Sequence, residues 1–581
     1  MKEERIIATS RPADRATFTI KIEGTVLDAT YRVGPVQVFR EINRIPWARV
    51  ILLDGEAAKA DFPASNSDLF IPGKIIEILA GYHTDEATIF RGIIIKHRLK
   101  ARSKGAPLLI LDCRDEAVKM TIGRHSRYFY EMSDSDIMEE LISAYGLKSE
   151  VEATGPALPQ AVQYDCTDWG FLMMRAEVNG MLCIVEDGTV TVKPPLLDAD
   201  PVTPVIFGAT IQEFDAEIDA RQQLKAVSAL SWDYALQEPT KVEGTDPKLN
   251  LNGNLAPGSL AEAAGPEALE LRHGGNLGDE QLQAWADATL LRQQLAKVRG
   301  RVKFQGIPEV KPGALIELRG VGERFNGKAF VSAVTHSLAD GDWQAEVQFG
   351  FNPESYVNSY ETSQKPASAV IPAVQGLQLG LVTSLEDPDG EHRIKVRMPV
   401  IDATEEGSWA RFACPDAGEN RGLYFRPEVD DEVLVGFING DPRDAVVLGM
   451  LHSSAKASPI KEEDANNEKG IVTRSELKLI FNDEKKSITL ETPAGKKVTV
   501  DEDQGILQME DENGNKAILN PDGITLESTK DIILKAAGDV KVEGVNIEQK
   551  ASANYKVEGS AGMEVSSSAT TVVKGSLVQI N

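Results

Sequence analysis

The sequence predicts a mainly β protein of several domains whose last hundred or so residues wind into a thin β-helix shared between chains. Three observations carry that expectation. Short apolar runs closed by Gly, Asn, Asp or Pro recur along most of the 581 residues, the pattern of strands separated by tight turns. Helical spacing is confined to three stretches. From residue 476 to 581 strand follows strand with no helix, and glycine-cornered strings repeat: Lys541-Val542-Glu543-Gly544, Lys556-Val557-Glu558-Gly559 and, more loosely, Val572-Val573-Lys574-Gly575. Offsets of 15 and 16 residues are about two strands of eight, the period of a solenoid that advances along one axis.

From the N-terminus, strands are expected at 17–22, 49–53, 74–79 and 108–111. A first helix follows Ser133, with Asp136 completing a capping box and Ile137, Leu141, Ile142 and Tyr145 on one face, until Gly146 ends it. A second follows Thr167, buries Phe171 and Leu172 and stops at Asn179-Gly180. Residues 181–185 and 189–192 form a hairpin about Glu186-Asp187-Gly188. Residues 243–265, rich in Gly, Asn and Pro, read as a long loop. A third helix is expected over 279–299, with Leu282, Trp285, Ala286, Leu290 and Val298 spaced for burial and Gly300 as its stop. Strands resume at 301–304, 314–318 and 330–334, and residues 363–369 read as a linker.

Residues 375–454 are a compact strand-rich unit. It holds Gly380-Leu381-Val382, the turn Asp387-Pro388-Asp389-Gly390, an alternating strand from Arg393 to Arg397, Trp409-Ala410-Arg411, Pro427-Glu428-Val429, a strand from Glu432 to Phe437, Gly440-Asp441-Pro442 and a strand from Val446 to Gly449. Five or so twisted strands with glycine at the corners suit a small closed barrel of OB type. Ligand binding by such a barrel needs basic and aromatic side chains on one face; only Trp409, Phe412, Tyr424, Phe425 and Phe437 are available, and Phe437 suits the core. Residues 455–475 are a charged connector too short for a domain. In the tail, strands are expected at 477–481, 487–491, 497–500, 506–510, 516–519, 524–527, 532–535 and 540–542. Side chains late in the tail are small, so several chains must share one core.

With 62 Lys and Arg against 89 Asp and Glu, the formal charge is −27. Nucleic acid is a poor partner for such a chain, because phosphate binding needs clustered cations. Anionic headgroups are repelled as well. Cys113, Cys166, Cys183 and Cys414 lack CxxC spacing and read as free thiols of a reducing compartment. The acidic and basic start, Met1-Lys2-Glu3-Glu4-Arg5, lacks the apolar core of a signal peptide, and nowhere do 18 apolar residues run together. No stable membrane insertion is expected, so export needs a machine. The seven histidines show no metal spacing, and no metal or cofactor is expected. Gly322-Glu323-Arg324-Phe325-Asn326-Gly327-Lys328 has phosphate-loop spacing, but Ala329 replaces the magnesium-binding hydroxyl and the run lies between strands, so it reads as a turn.

The stretch from Gly380 to Gly449 closely resembles the OB-fold of VgrG-type spike proteins of contractile injection systems: type VI secretion, phage tails and extracellular tail-like particles. Residues 1–370, including Asp168-Trp169-Gly170-Phe171-Leu172 and Glu177-Val178-Asn179-Gly180, resemble that family's hub region of two β-barrels with inserted helices. Residues 476–581 resemble its triple-stranded intertwined β-helix. The resemblance implies a homotrimer whose hub adapts a hexameric inner tube protein, among baseplate proteins, to a needle that punctures the target envelope and delivers cargo, effectors included. Thirteen or so strands lifting the chain by ~4.7 Å each would make the needle about 60 Å long. The machine would assemble in the bacterial cytoplasm and expel the spike toward or into the target cell. Val542, Val557 and Val573 are the expected trimer core of the needle. Gly575, Ser576, Leu577, Val578, Gln579, Ile580 and Asn581 are the expected platform for a PAAR-type tip protein.

Some spikes of this type carry a hydrolase between barrel and needle or an effector after it. This sequence has only the connector in the first position and nothing after Asn581, so no intrinsic catalysis is expected. Two rivals are weighed: a trimeric tailspike enzyme acting on surface polysaccharide, and a receptor-binding fibre. The first needs aromatic sugar platforms, and residues 476–581 hold only Phe481 and Tyr555. The second should end in a globular head.

Overall fold

Alternation decides most of the first unit. In Ile75–Tyr82, for example, Ile76, Ile78 and Ala80 point inward and are wholly buried while the residues between them are partly exposed. The computed structural model describes residues 15–249, 251–264, 268–362 and 365–580. Met1 to Asp14, read above as lacking a signal peptide, Ser363 and Gln364 of the linker, and Asn581 of the tip platform lie outside the described residues. The chain divides into two compact units, Met1–Ala373 with Asn439–Asp441, and Val374–Ile438 with Pro442–Asn581.

The first unit is built on a continuous 13-stranded sheet. Its middle is the 13-residue strand Gly327–Ala339, long enough to pair antiparallel with Asp342–Phe349 on one side and Val33–Glu41 on the other. Two apolar cores remain distinct along this sheet. One gathers Val38, Leu52, Ile78, Ile94, Leu111 and Trp343; the other gathers Val302, Phe304, Ile316, Val331, Val347 and Phe349.

The helical insert follows its caps. Asp136 N–H donates to Ser133 Oγ at 3.1 Å and Ser133 N–H to Asp136 Oδ2 at 3.1 Å, opening the helix Asp134–Ser143 with the expected capping box. Gly170 N–H donates to Thr167 Oγ1 at 3.0 Å and opens Asp168–Val178. Ile137, Leu141 and Ile142 of the first helix meet Phe171, Leu172 and Met173 of the second in a third core, against the hairpin Leu182–Glu186 and Thr189–Lys193.

Two sequence expectations fail here. The third helix is Asp279–Leu295, and Gly300 is not its stop but lies inside the strand Val298–Gln305. A Cβ on Gly300 would press on the Asp215 carbonyl and lie 2.7 Å from Phe349 Cζ, so the glycine serves a close crossing of backbone and ring. Residues 243–265 are not all loop, since Pro257–Ala264 is a helix. Proline's fixed φ suits the first helical position, and Ala261 is wholly buried.

The second unit opens with a closed five-stranded barrel in the order Gln378–Ser384, Ile394–Arg397, Ser408–Phe412, Ala445–Met450, Glu432–Phe437. Val382, Ile394, Val396, Ala410, Val433, Val435 and Val447 fill it, with Phe412 and Phe437 packed at the margin. A seven-stranded antiparallel meander follows, from Glu468–Val472 to Gly523–Glu527. Ser487–Glu491 and Ile506–Glu510 match the expected spans to the residue. The strands expected at 532–535 and 540–542 are not formed, nor is any strand among the described residues after Glu527. Residues 528–580 form no regular secondary structure and are almost wholly exposed, with no neighbouring strand in the same chain to accept their backbone hydrogen bonds.

Candidate assembly surface

Register makes the meander two-sided. Leu479 stands opposite Leu490 and Phe481 opposite Ile488. Leu490 then meets Val498 and Ile488 meets Val500, followed by Val498 with Met509 and Val500 with Leu507. Met509 with Ala517, Leu507 with Leu519, Ala517 with Leu526 and Leu519 with Ile524 complete the set. Directly opposite residues share a face of a sheet, so two apolar columns cross six strands without interruption. Leu490 is 53% exposed, Met509 50% and Ile524 73%. Covering such side chains is worth about 1.5–3 kcal/mol apiece, and nothing in one chain covers them.

The other face is mixed, with Ile480 opposite Thr489, Ile506 opposite Asp501 and Ile518 opposite Gln508 and Thr525. Along one margin Lys478, Glu491, Lys497, Glu510, Lys516 and Glu527 stand in successive opposite pairs of unlike charge, and Thr489, Thr499 and Gln508 run down the middle. Unlike charges across strands contribute roughly 0.2–1 kcal/mol per pair and disfavour a slip of register. Sequence reasoning found these strands but not this division. The signal was the i, i+2 alternation of Leu, Ile, Val and Met, with Lys or Glu at the strand ends.

Val542, Val557 and Val573 sit in the tail without secondary structure and are each more than half exposed. The fold does not bring them together within one chain. The same holds at the expected tip, where Leu577 is 76% and Ile580 92% exposed.

Groups that might carry chemistry are engaged elsewhere. Among the described residues no group of His, Cys, Asp and Glu is arranged to hold a metal. The phosphate-loop-like run is a turn between Leu315–Arg319 and Gly327–Ala339, in which Asn326 N–H donates to Gly322 O at 2.9 Å. Lys328 Nζ donates to Ala199 O at 2.9 Å. Cys113 and Cys183 are wholly buried, and burial pushes their thiols far up. The buried Asp168 carboxylate accepts from Gln163 at 2.7 Å, Arg127 at 2.8 Å, Tyr145 at 2.9 Å and His125 Nδ1 at 3.0 Å. Burial raises its pKa, and these four bonds together outweigh burial and hold it below the usual carboxylate value. That is a structural hub tying the Thr167-capped helix to the ribbon of His125–Met132 and Leu158–Cys166.

Comparison with known proteins places these parts. The family described as "Alg8 N-terminal domain" matches residues 12–340, more than half of the chain. The family described as "Type VI secretion system/phage-baseplate injector OB domain" matches residues 378–452, the span of the closed barrel. The type VI secretion system spike protein VgrG1b of Pseudomonas aeruginosa is 24% identical over 218 residues, which are 34% of this chain and 28% of that relative. Among solved structures, a prophage MuSo2 tail protein from Shewanella oneidensis covers 58% of this chain and 98% of its own at 13% identity and a TM-score of 0.44. An E. coli component of the type VI secretion system covers 74% of this chain and 99% of its own at 14% identity and a TM-score of 0.39. The chain belongs to the Alg8 N-terminal domain family, and behind the matched region its closed barrel matches the injector OB domain family.

Proposed function

We propose that the chain is the structural spike and hub of a phage-like contractile injection machine. Residues 1–370 are its hub, 375–454 its OB barrel, 455–475 a connector and 476–581 its needle. Three copies associate through the needle. The two exposed apolar columns of the meander carry this reading, since three sheets facing one axis would bury them and leave the Lys–Glu margin outside. Residues 528–580 then find in the other two chains the strand partners they lack in their own, and Val542, Val557 and Val573 turn inward. Closing the sheet around an axis removes its open edges. In this role the hub docks on an inner tube within a baseplate, the needle punctures an envelope, and the chain does no chemistry of its own.

Light scattering on the full chain tests the assembly. A mass three times 63.2 kDa is expected, and a monomer mass at micromolar concentration would sink it. Negative-stain images should show a bulb carrying a thin spike, and deletion of residues 476–581 should leave a weaker trimer or none.

A further inference from the structure

The closed barrel carries an apolar surface on its outside that its core does not use. Leu379 stands opposite Leu434, and Leu434 opposite Gly449, on the outward side of the strands whose inward residues Val433, Val435 and Val447 are wholly buried. Leu377 and Leu448 close over Gly436, where a Cβ would lie 3.5 Å from Leu377 Cδ2 and 3.3 Å from Leu448 Cδ1. Leu377, Leu379 and Leu448 are 55%, 51% and 49% exposed. A Cβ on Gly449 would meet nothing within 4 Å. The outcome is a low apolar face, leucines set about two glycines, open to a flat partner.

A second idle apolar group lies elsewhere on the same barrel. Leu423, Tyr424 and Phe425 are 50%, 73% and 50% exposed. The next residue anchors them, since Arg426 Nη2 donates to Arg393 O at 2.8 Å, beside the strand Ile394–Arg397. In the closed order that strand is not a neighbour of Glu432–Phe437, on which the leucine face is centred. Leu379 lies on Gln378–Ser384, which pairs with both strands, but beyond the Arg397 end of the pair, while Arg393 stands at the other end, so the two apolar groups lie toward different ends of the barrel.

We propose that three copies of this chain close a ring at the barrel, the leucine–glycine face of one copy seating the Leu423-Tyr424-Phe425 segment of the next. This rests on the trimeric reading above. A threefold axis brings unlike surfaces together, so each copy needs a receiving face and an inserting one at different places, which is what the barrel carries. Tyrosine and phenylalanine are the side chains that anchor interface cores, and a face paved with glycine admits a ring closely. The connector keeps barrel and needle base in step within each copy: Lys456 Nζ donates to Asp431 Oδ1 at 2.8 Å and Arg474 Nη1 to Glu428 Oε2 at 2.9 Å. Copies gathered by the needle thus present their barrels at one height.

The test uses the full chain with Cys414→Ser, the other three cysteines being buried. Leu379→Cys and Tyr424→Cys are introduced singly and together, and a bis-maleimide is added before a denaturing gel. The double variant should run as covalent dimers and trimers while each single variant stays at the monomer band. Adding Gly449→Arg should cut the crosslinked yield by about tenfold, because the new side chain is tolerated in one copy but occupies the seat of the next. A trimer by light scattering whose double variant does not crosslink overturns the ring and leaves the needle-driven trimer standing. Crosslinking of a single variant overturns the pairing of unlike faces. A monomer mass overturns the trimeric reading and the ring with it.

Discussion

Trp343 donates its indole N–H to His336 Nδ1 at 3.3 Å, across the tight turn that joins the strands Gly327–Ala339 and Asp342–Phe349. His336 is 2% exposed. Burial first, and the Arg40 guanidinium second, push its pKa down to about 3. Arg40 is itself buried and held by Glu186 at 3.2 Å and Asp187 at 3.4 Å. A second cation beside it would be poorly solvated.

The pairing predicts acid sensitivity of the first unit. In the folded chain His336 stays neutral down to about pH 3, whereas the unfolded chain takes up that proton below about pH 6.5. The unfolded state thus binds more protons in this window, so stability is full above it and falls as pH drops through it, by up to about 1.4 kcal/mol per unit. Urea midpoints of His336→Gln and the parent should differ least at pH 5, where the parent has lost about 2 kcal/mol from this group. Parallel losses in both proteins between pH 8 and 5 would clear His336 of the effect.

Gly300→Ala should destabilise the first unit by about 1–3 kcal/mol, the cost of overpacking. The new methyl would lie 2.7 Å from Phe349 Cζ and 2.8 Å from Ala216 Cα. A helix-stop glycine, by contrast, would carry a positive φ, and Gly300 is not among the glycines that do. Denaturant unfolding measures the cost, and an unchanged midpoint would mean the strand relaxes away from Phe349.

What could be read from sequence was what is local. Ser133 and Thr167 announce their helices because a cap acts within three residues. Ser487–Glu491 and Ile506–Glu510 were legible because alternation and a flanking turn define a short strand. Gly300 misled because a glycine that ends a helix and one that admits a neighbouring backbone look alike in sequence. The long sheet of the first unit was hidden for another reason: Ala333 pairs with Glu41, a partner that no pattern between them names. In the tail, alternation at 532–535 and 540–542 marks a capacity to pair, which one chain cannot satisfy.

The two faces of the meander should answer differently to charge. Leu507→Asp puts a carboxylate in the apolar columns, and in the trimer it would be buried without a partner, a loss of several kcal/mol per copy. Thr499→Asp adds the same charge on the opposite face. Light scattering should find the first dissociated and the second trimeric. Equal behaviour of the two would mean the apolar columns stay exposed in the assembly.

Val557→Asp extends the same reasoning into the tail. Val557 is 56% exposed in one chain, so the substitution should not disturb that chain alone. If Val557 faces the axis, three carboxylates meet there unpaired and the trimer's melting temperature falls. An unchanged melting curve would place Val557 outward and shift the register of the tail by one residue.

The final segment should bind a separate tip protein. Leu577, Val578 and Ile580 are 76%, 49% and 92% exposed, and residues 575–580 form no strand within the chain. Three such ends at one axis would expose apolar side chains and unpaired backbone groups together, the combination that aggregates unless it is covered. A cap of matching threefold surface, of the PAAR type, would cover all three at once through backbone pairing and apolar contact. Truncation after Lys574 removes the platform and spares Val542, Val557 and Val573. Co-purification with a PAAR-type protein encoded nearby should be lost on truncation while light scattering still reports a trimer. Binding retained by the truncated trimer would move the docking surface away from residues 575–581.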